Sequence, residues 1–198
     1  ISDGGVQEEV SQGAARIAGN LGLDNLIMFY DCNDIQLSTE TKEVMNEDTA
    51  AKYRAQNWEV IEINGNDAAQ IRAAIEKAQA VKGKPTLIIG KCIMGKGALK
   101  ADGTSYEANC KTHGAPLGGD AFINTVKNLG GDPENPFQIF DDVKDLYANR
   151  AKELEAICAA RYAEEKAWAD ANPEKVAQQV TWFSGKAPKI DWSKCVQK

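Results

Sequence analysis

Residues 26–30 read Leu-Ile-Met-Phe-Tyr, and this unbroken apolar run decides the fold of the first part of the chain. An apolar run without alternation is typical of a strand that is covered on both faces, as in a parallel sheet. The preceding segment has apolar side chains at helical spacing and ends at Gly22, a common helix terminator: Val10, Ala14, Ile17, Ala18 and Leu21. A helix followed by a buried strand predicts an α/β fold.

The same alternation continues along the chain for two more units. Residues 48–57 predict a helix and residues 58–63, Trp-Glu-Val-Ile-Glu-Ile, the next strand. Residues 66–83 predict a further helix that is broken before Pro85, and residues 86–89, Thr-Leu-Ile-Ile, predict a third buried strand. We therefore expect a three-layer α/β/α arrangement around a mainly parallel sheet.

The second part of the chain is helical after a long loop. Residues 94–119 are rich in glycine and lack periodicity, and loops of this length are usually functional or disordered. Residues 121–129 predict a short helix, residues 141–171 a long amphipathic helix, and Pro173 the first turn of a final helix.

These patterns suggest a division of the chain into three parts. We expect a partial α/β domain over residues 1–140 and a helical extension over residues 141–184 that packs on it. Residues 185–198 are rich in lysine and aperiodic, and we interpret them as a linker.

Composition excludes several functional classes. The 198 residues carry a net charge of −6, which argues against nucleic acid as a partner. We expect no membrane partner, since no window approaches the roughly 18 consecutive apolar residues of a membrane span. The five cysteines form no CxxC pair, which favours reduced thiols and a cytoplasmic location.

The start of the sequence predicts that a strand precedes it. In a parallel α/β sheet a strand leads into a turn such as Asp3-Gly4, and here the chain begins where that strand would end. There is also no initiator methionine. We therefore expect a piece of a larger protein.

Two predicted strand ends could form one site. Ligands of open α/β sheets bind beyond the carboxyl ends of the strands, where Asp3-Gly4-Gly5 and Asn33 are both expected. Their oxygen donors suit Mg²⁺, and glycine amides at a helix start can approach a phosphate. Spacing alone favours a simpler interpretation, a strand–helix turn followed by a loop-forming asparagine.

The ensemble of segments resembles the transketolase family. Residues 2–9, Ser-Asp-Gly-Gly-Val-Gln-Glu-Glu, and residues 26–35, which end Tyr-Asp-Cys-Asn-Asp-Ile, resemble the thiamine diphosphate motif that starts Gly-Asp-Gly and ends in Asn. Residues 91–97, Lys-Cys-Ile-Met-Gly-Lys-Gly, and residues 112–118, Thr-His-Gly-Ala-Pro-Leu-Gly, are similar to later segments of that family. The resemblance runs in order to about Leu146 and implies a partial thiamine diphosphate-binding fold.

The resemblance implies a role for each matching residue. Asp3, the Asn33 side chain and the Ile35 carbonyl match the ligands of the family's metal, Mg²⁺ or Ca²⁺, and the Gly4 amide matches a donor to the diphosphate. Glu8 matches an acidic residue linked to the glutamate that activates the cofactor. His113, the single histidine, matches a residue that contacts both the diphosphate and the substrate.

The resemblance also implies an activity and partners. It implies transfer of a two-carbon ketol unit from a ketose phosphate to an aldose phosphate, in the pentose phosphate pathway, by a complete homodimer. The family's pyrimidine-binding domain, which supplies the activating glutamate, has no match here, so we expect this chain to be inactive alone.

Three alternatives stay open. The chain could be the diphosphate-binding subunit of a split transketolase whose partner brings the pyrimidine-binding domain. It could belong to another thiamine diphosphate enzyme, such as a deoxyxylulose-phosphate synthase or a two-oxoacid dehydrogenase component, although residues 113–118, His-Gly-Ala-Pro-Leu-Gly, argue against both. A non-catalytic protein that kept the fold is hard to reconcile with Asp3, Asn33 and His113 all being present.

Overall fold

A computed structural model describes residues 1–187 and 189–196. Its helices and strands follow in the order α1 (Asp3–Gln7), α2 (Glu9–Leu21), β1 (Ile27–Cys32), α3 (Thr49–Ala55), β2 (Glu59–Asn64), α4 (Ala68–Ala80), β3 (Thr86–Lys91), α5 (Gly119–Asn128), α6 (Asp141–Ala171) and α7 (Pro173–Phe183). Short 3-10 turns lie at Thr41–Glu43, Cys110–Thr112 and Trp192–Lys194.

The three strands form one parallel sheet in the order β1-β3-β2. Residues 27–32 and 59–64 both pair in register with residues 86–91, so all three strands end at the same edge. The first two residues extend the sheet beyond β1, since Ser2 bridges Asp31 in parallel and the Ile1 carbonyl accepts a hydrogen bond of 2.9 Å from the Asp31 amide. Asp3 therefore follows a strand-like segment, at the carboxyl edge of the sheet.

Helices cover both faces of the sheet, which confirms the predicted α/β/α layers. On the face of α2 and α3 the core cluster comprises Val6, Ala15, Ala18, Tyr30, Tyr53, Trp58 and Leu87. On the face of α4 it comprises Ala74, Ala78 and Ile88, with Ile27, Phe29, Ile61 and Ile63 packed against them. Neighbouring residues of a strand point to opposite faces, so Leu87 and Ile88 serve different layers.

Helix ends follow the predicted local signals. The Asp48 carboxylate accepts a hydrogen bond of 2.8 Å from the Ala51 amide and so caps α3, while Asp67 caps α4 by accepting from the amides of Ala69 and Gln70. Gly22 adopts a φ of 63° and ends α2, because this left-handed conformation is costly for residues that carry a Cβ.

Two local features differ from the sequence-based expectation. β1 continues through Asp31 and Cys32, since both pair with β3 although neither extends the apolar run. The helix expected from Val10 is preceded by α1, and the two helices are separated at Glu8, whose ψ of 131° is extended.

The chain divides into two compact units, Ile1–Gln138 and Ile139–Lys198. The second unit contains α6 and α7, and no residue of either helix is buried. The predicted linker, residues 185–198, includes Pro188, Gln197 and Lys198, which lie outside the described residues. Across the described residues, none of the helices has the length and apolarity to cross a bilayer.

Candidate functional site

The carboxylate of Asp3 lies at the centre of the candidate site. Asp3 is the first residue of α1, and it is only 1% exposed. Its Oδ1 accepts a hydrogen bond of 2.8 Å from the Tyr30 hydroxyl, and its Oδ2 accepts one of 3.1 Å from the Asn33 amide. Burial, together with the hydrogen bond to Asp3, raises the pKa of Tyr30 far above its usual range, so the hydroxyl remains a neutral donor.

The carboxylate of Asp3 is held by hydrogen bonds alone within the described part of the chain. Among the described residues, Asp3 forms no salt bridge. A buried charge without a partner is costly, and its two oxygens retain lone pairs beyond the two hydrogen bonds. The position therefore fits a metal cation.

The loop after β1 brings two more oxygen atoms to the same edge. The Asn33 Oδ1 accepts a hydrogen bond of 3.0 Å from the Ile35 amide, and the Asn33 Nδ2 donates one of 3.2 Å to Asp31. The Ile35 side chain is buried, and its carbonyl accepts no hydrogen bond within the described part of the chain. Carboxylate, amide and carbonyl oxygens are the ligands that Mg²⁺ and Ca²⁺ prefer, so this donor set fits the metal that the resemblance implies.

Asp34 contributes to the conformation of this loop and forms an ion pair with a lysine. It adopts a φ of 65°, and its carbonyl accepts a hydrogen bond of 2.8 Å from the Thr41 amide. Its carboxylate forms an ion pair with Lys91, whose Nζ also lies 3.8 Å from the Sγ of Cys32. Although partial burial opposes it, the contact with Asp34 raises the pKa of Lys91, so the ammonium stays charged.

Two cavities open beside this loop. One of about 530 Å³ is lined by Asp3, Cys32, Asp34 and Thr41, among others. The other, of about 750 Å³, is lined by a set that includes both amide and cationic side chains: Asn33, Ile35, Asn64, Asn66, Lys91 and Lys96. The carboxylates of Asp34 and Glu40 also line the second cavity, so its wall carries charges of both signs.

Gly4 is exposed in the first turn of α1, and a Cβ at this position would meet no atom within 4 Å. Amides of the first helical turn lack an intrahelical acceptor, so the Gly4 N–H is open to a ligand.

Glu8 and His113 stand apart from the residues described above. Glu8 is exposed at the junction of α1 and α2, and it lines neither cavity. His113 follows the turn Cys110–Thr112, its amide donates a hydrogen bond of 3.1 Å to the Cys110 carbonyl, and its buried Nδ1 has no partner among the described residues. The structure thus brings Asp3, Asn33 and Ile35 together, but it does not join Glu8 or His113 to them by a hydrogen bond.

Sequence reasoning missed two features of the site. Tyr30 was predicted as part of a strand only, although its position two residues after Met28 places both on the α2 face. Asp34 and Lys91 form an ion pair although 57 positions separate them in the chain. No pattern in the sequence around either residue predicts this contact.

Comparisons with known proteins identify the family of the chain. The family model described as transketolase, thiamine diphosphate binding domain, matches residues 1–188. Transketolase 2 of Escherichia coli strain K12 is 35% identical over 201 residues, an alignment that covers 100% of this chain and 29% of that protein.

The backbone fold of the chain is similar to that of solved transketolases. The transketolase from Leishmania mexicana superposes with a TM-score of 0.86 at 30% identity, covering 100% of this chain and 29% of that one. A transketolase from Pichia stipitis in complex with sedoheptulose-7-phosphate gives a TM-score of 0.83 at 31% identity, covering 100% and 28%. The chain spans less than a third of the length of these relatives. Because the family match extends over nearly all of its residues and solved members share its backbone, the chain belongs to the transketolase family and matches the thiamine diphosphate binding domain of that family.

Proposed function

We propose that the chain is the diphosphate- and metal-binding part of a transketolase that transfers a two-carbon ketol unit between sugar phosphates in the pentose phosphate pathway. The observation that carries the proposal is the buried Asp3 carboxylate, which is fixed by Tyr30 and Asn33 and forms no salt bridge with any described residue. A divalent cation at this position would neutralise the charge and attract a diphosphate.

In this proposal Asp3, the Asn33 side-chain oxygen and the Ile35 carbonyl hold Mg²⁺ or Ca²⁺. The Gly4 amide donates to the diphosphate, and Lys91 and Lys96 add positive charge beside the second cavity. Bound thiamine diphosphate supplies the nucleophilic carbon that accepts and passes on the ketol unit.

His113 is proposed to donate to the diphosphate and to the substrate. Its unpartnered buried Nδ1 supports a functional role, because a buried imidazole nitrogen without a partner is costly in the absence of a ligand. Glu8 is proposed to stabilise the activating glutamate of a pyrimidine-binding domain, and its exposure leaves it available to that domain.

The full enzyme is proposed to be a cytoplasmic homodimer in which this chain acts together with a pyrimidine-binding domain. Relatives more than three times as long support the need for that domain, and we propose residues 185–198 as the connection towards it. The chain alone is expected to bind cofactor weakly and to show no ketol transfer. A split transketolase, in which a separate chain supplies the pyrimidine-binding domain, is the alternative form of the same function.

Calorimetric titration of thiamine diphosphate, with and without Mg²⁺, tests the proposed binding. We expect binding that depends on the metal and that weakens on the order of tenfold or more in Asp3→Asn. Glu9→Gln is the matched control, because it removes a carboxylate that is exposed at the start of α2. Equal binding without Mg²⁺, or in Asp3→Asn with its fold intact by circular dichroism, would contradict the proposal.

A ketol-transfer assay tests the activity. The chain is assayed alone and after addition of a transketolase chain that supplies the pyrimidine-binding domain. Activity only in the mixture is the expected result. Activity of the chain alone would overturn the expectation that it is inactive, and the absence of activity in a mixture that binds cofactor would argue for a binding role.

A further inference from the structure

We propose that α5 positions His113 and that Thr125 and Asn128 are the positioning residues of this helix. Their side chains form hydrogen bonds with the backbone of the glycine-rich loop that leads to His113. The inference rests on the proposed function, in which His113 donates to the diphosphate and to the substrate. The helix follows the loop in the chain and acts on His113 through the loop backbone.

One face of α5 provides hydrogen bonds to the backbone of the loop. Thr125 is only 9% exposed, and its Oγ1 accepts a hydrogen bond of 2.9 Å from the Leu99 amide and donates one of 3.3 Å to the Leu99 carbonyl. Asn128, three positions along the same face, donates a hydrogen bond of 2.9 Å from its Nδ2 to the Gly97 carbonyl. Threonine and asparagine are weak helix formers, so these side chains stabilise the loop and not the helix.

Further contacts fix the same part of the loop. The Gly97 amide donates a hydrogen bond of 2.6 Å to the Glu107 carboxylate, so both backbone polar groups of Gly97 have a partner. Asn124 of α5 donates from its Nδ2 to the carbonyls of residues 100 and 101, each at 3.2 Å. The segment from residue 97 to residue 101 is therefore held from the side of α5 at four successive points.

The held segment is in turn connected to the residues before His113. The Met94 carbonyl accepts a hydrogen bond of 2.9 Å from the amide of Ala108, whose φ of 49° is costly for a residue that carries a Cβ. A Cβ at Gly95 would lie 3.2 Å from the Oγ1 of Thr112, so the backbone at Gly95 packs against the residue next to His113. A shift of the loop would therefore be passed on to His113.

The position of the His113 ring depends on this backbone. Its buried Nδ1 has no hydrogen-bond partner among the described residues, so no such contact at that nitrogen fixes the ring. In the part of the chain that the structure describes, the two core clusters of the sheet contain no residue of α5. Loss of the hydrogen bonds from α5 should therefore displace the loop and the imidazole while the sheet stays folded.

Nuclear magnetic resonance of the 198-residue chain without ligand tests the positioning. His113 is the single histidine, so the signal of its imidazole carbon-bound protons is unique. In Thr125→Val and in Asn128→Ala we expect this signal to shift and the amides of residues 94–113 to exchange faster. Thr125→Ser retains the hydroxyl and should restore both readouts.

Thr181→Val is the matched control, because the Thr181 hydroxyl donates a hydrogen bond of 2.9 Å to the Ala177 carbonyl within α7. This variant should leave the His113 signal unchanged. An unchanged signal in both Thr125→Val and Asn128→Ala, with the fold intact by circular dichroism, would overturn the proposal. A signal that Thr125→Ser fails to restore would also overturn it.

Titration of thiamine diphosphate with Mg²⁺ connects the positioning to binding. The affinity should fall on the order of tenfold in Thr125→Val, the effect of losing one hydrogen bond to a charged group, and should be retained in Thr125→Ser. An unchanged affinity in a Thr125→Val chain whose His113 signal has shifted would overturn the role of α5 in binding. If the unmodified chain binds no thiamine diphosphate while Thr125→Val still shifts the signal, the proposed function fails and the positioning is supported.

Discussion

The hydroxyl of Tyr30 donates a hydrogen bond of 2.8 Å to the Oδ1 of Asp3, so a side chain of β1 fixes the carboxylate at the start of α1. Both residues are buried, and 27 positions separate them in the chain. The sheet thereby holds the proposed metal ligand in place before any metal arrives, which reduces the cost of ordering the site on binding.

Replacement of Tyr30 by Phe tests this relationship. We expect the free energy of unfolding to fall by about 1–3 kcal/mol, because the buried carboxylate of Asp3 loses one of its two donors. Urea denaturation measures the change, and metal-dependent binding of thiamine diphosphate should weaken in parallel.

Tyr53→Phe is the matched control for Tyr30→Phe. Tyr53 is 0% exposed and lies in the same core cluster, but its hydroxyl has no hydrogen-bond partner among the described residues. Removal of an unpaired buried hydroxyl should leave stability unchanged or increase it. Equal losses of unfolding free energy in the two variants would show that the hydrogen bond between Tyr30 and Asp3 does not stabilise the fold.

We expect substitution by alanine to have opposite effects on stability at two glycines of α2. A Cβ at Gly19 would lie 1.8 Å from the carbonyl oxygen of Gln56, a backbone atom that cannot move without its segment. Gly19→Ala should therefore destabilise the fold by about 1–3 kcal/mol or more. Thermal unfolding measures the loss.

Gly13→Ala provides the comparison within the same helix. A Cβ at Gly13 would meet no atom within 4 Å, so alanine should stabilise α2 by roughly 0.5–1 kcal/mol through its better helix propensity. A destabilised Gly13→Ala, or a Gly19→Ala as stable as the unmodified chain, would contradict the packing of α2 against the turn after α3.

Local patterns were sufficient to predict the layers of the fold. Apolar runs predicted the three strands and Gly22 predicted the end of α2, because each of these signals acts within a few residues. The interruption at Glu8 was not predicted, since neither Gly nor Pro stands at that position.

The site was predictable in part. Asp3 and Asn33 were expected to meet because parallel strands end at one edge, and the hydrogen bond of 3.1 Å between them agrees with that geometry. The ion pair of Lys91 with Asp34 and the approach of Cys32 depend on the register of β1 against β3. Register is a property of tertiary packing, so the sequence around either residue alone does not reveal these contacts.

The ion pairs of Glu59 lead to a prediction of how the stability of the fold depends on pH. Its carboxylate pairs with Lys84 at 2.8 Å and with Lys77 at 3.4 Å, and the hydrogen bond from Lys84, more than any other contact, lowers the pKa of Glu59 in the folded chain. A carboxyl with a lowered folded pKa stabilises the fold above its unfolded pKa of about 4.3, and this contribution is lost as the pH falls through the lowered value.

Glu59→Gln should therefore lower the melting temperature at neutral pH, and this difference should shrink as the pH falls below the unfolded pKa of about 4.3. Glu62→Gln is the control at neutral pH, since its ion pair with Arg54 is mostly exposed and surface pairs contribute little. A constant difference between Glu59→Gln and the unmodified chain at all pH values would refute the assignment.

Cys92 should resist alkylation compared with the exposed thiols of the chain. Burial, followed by the hydrogen bond to Asp31, raises the pKa of Cys92 to about 11. The reactive species is the thiolate, so at neutral pH Cys92 should react on the order of a hundredfold more slowly than an ordinary thiol with a pKa of about 8.5. Time-resolved alkylation with iodoacetamide, followed by mass spectrometry of peptides, compares Cys92 with the exposed Cys158 and Cys195. The difference should vanish in denaturant, because unfolding removes both the burial and the contact with Asp31; equal rates in the folded chain would show that this thiol is not protected.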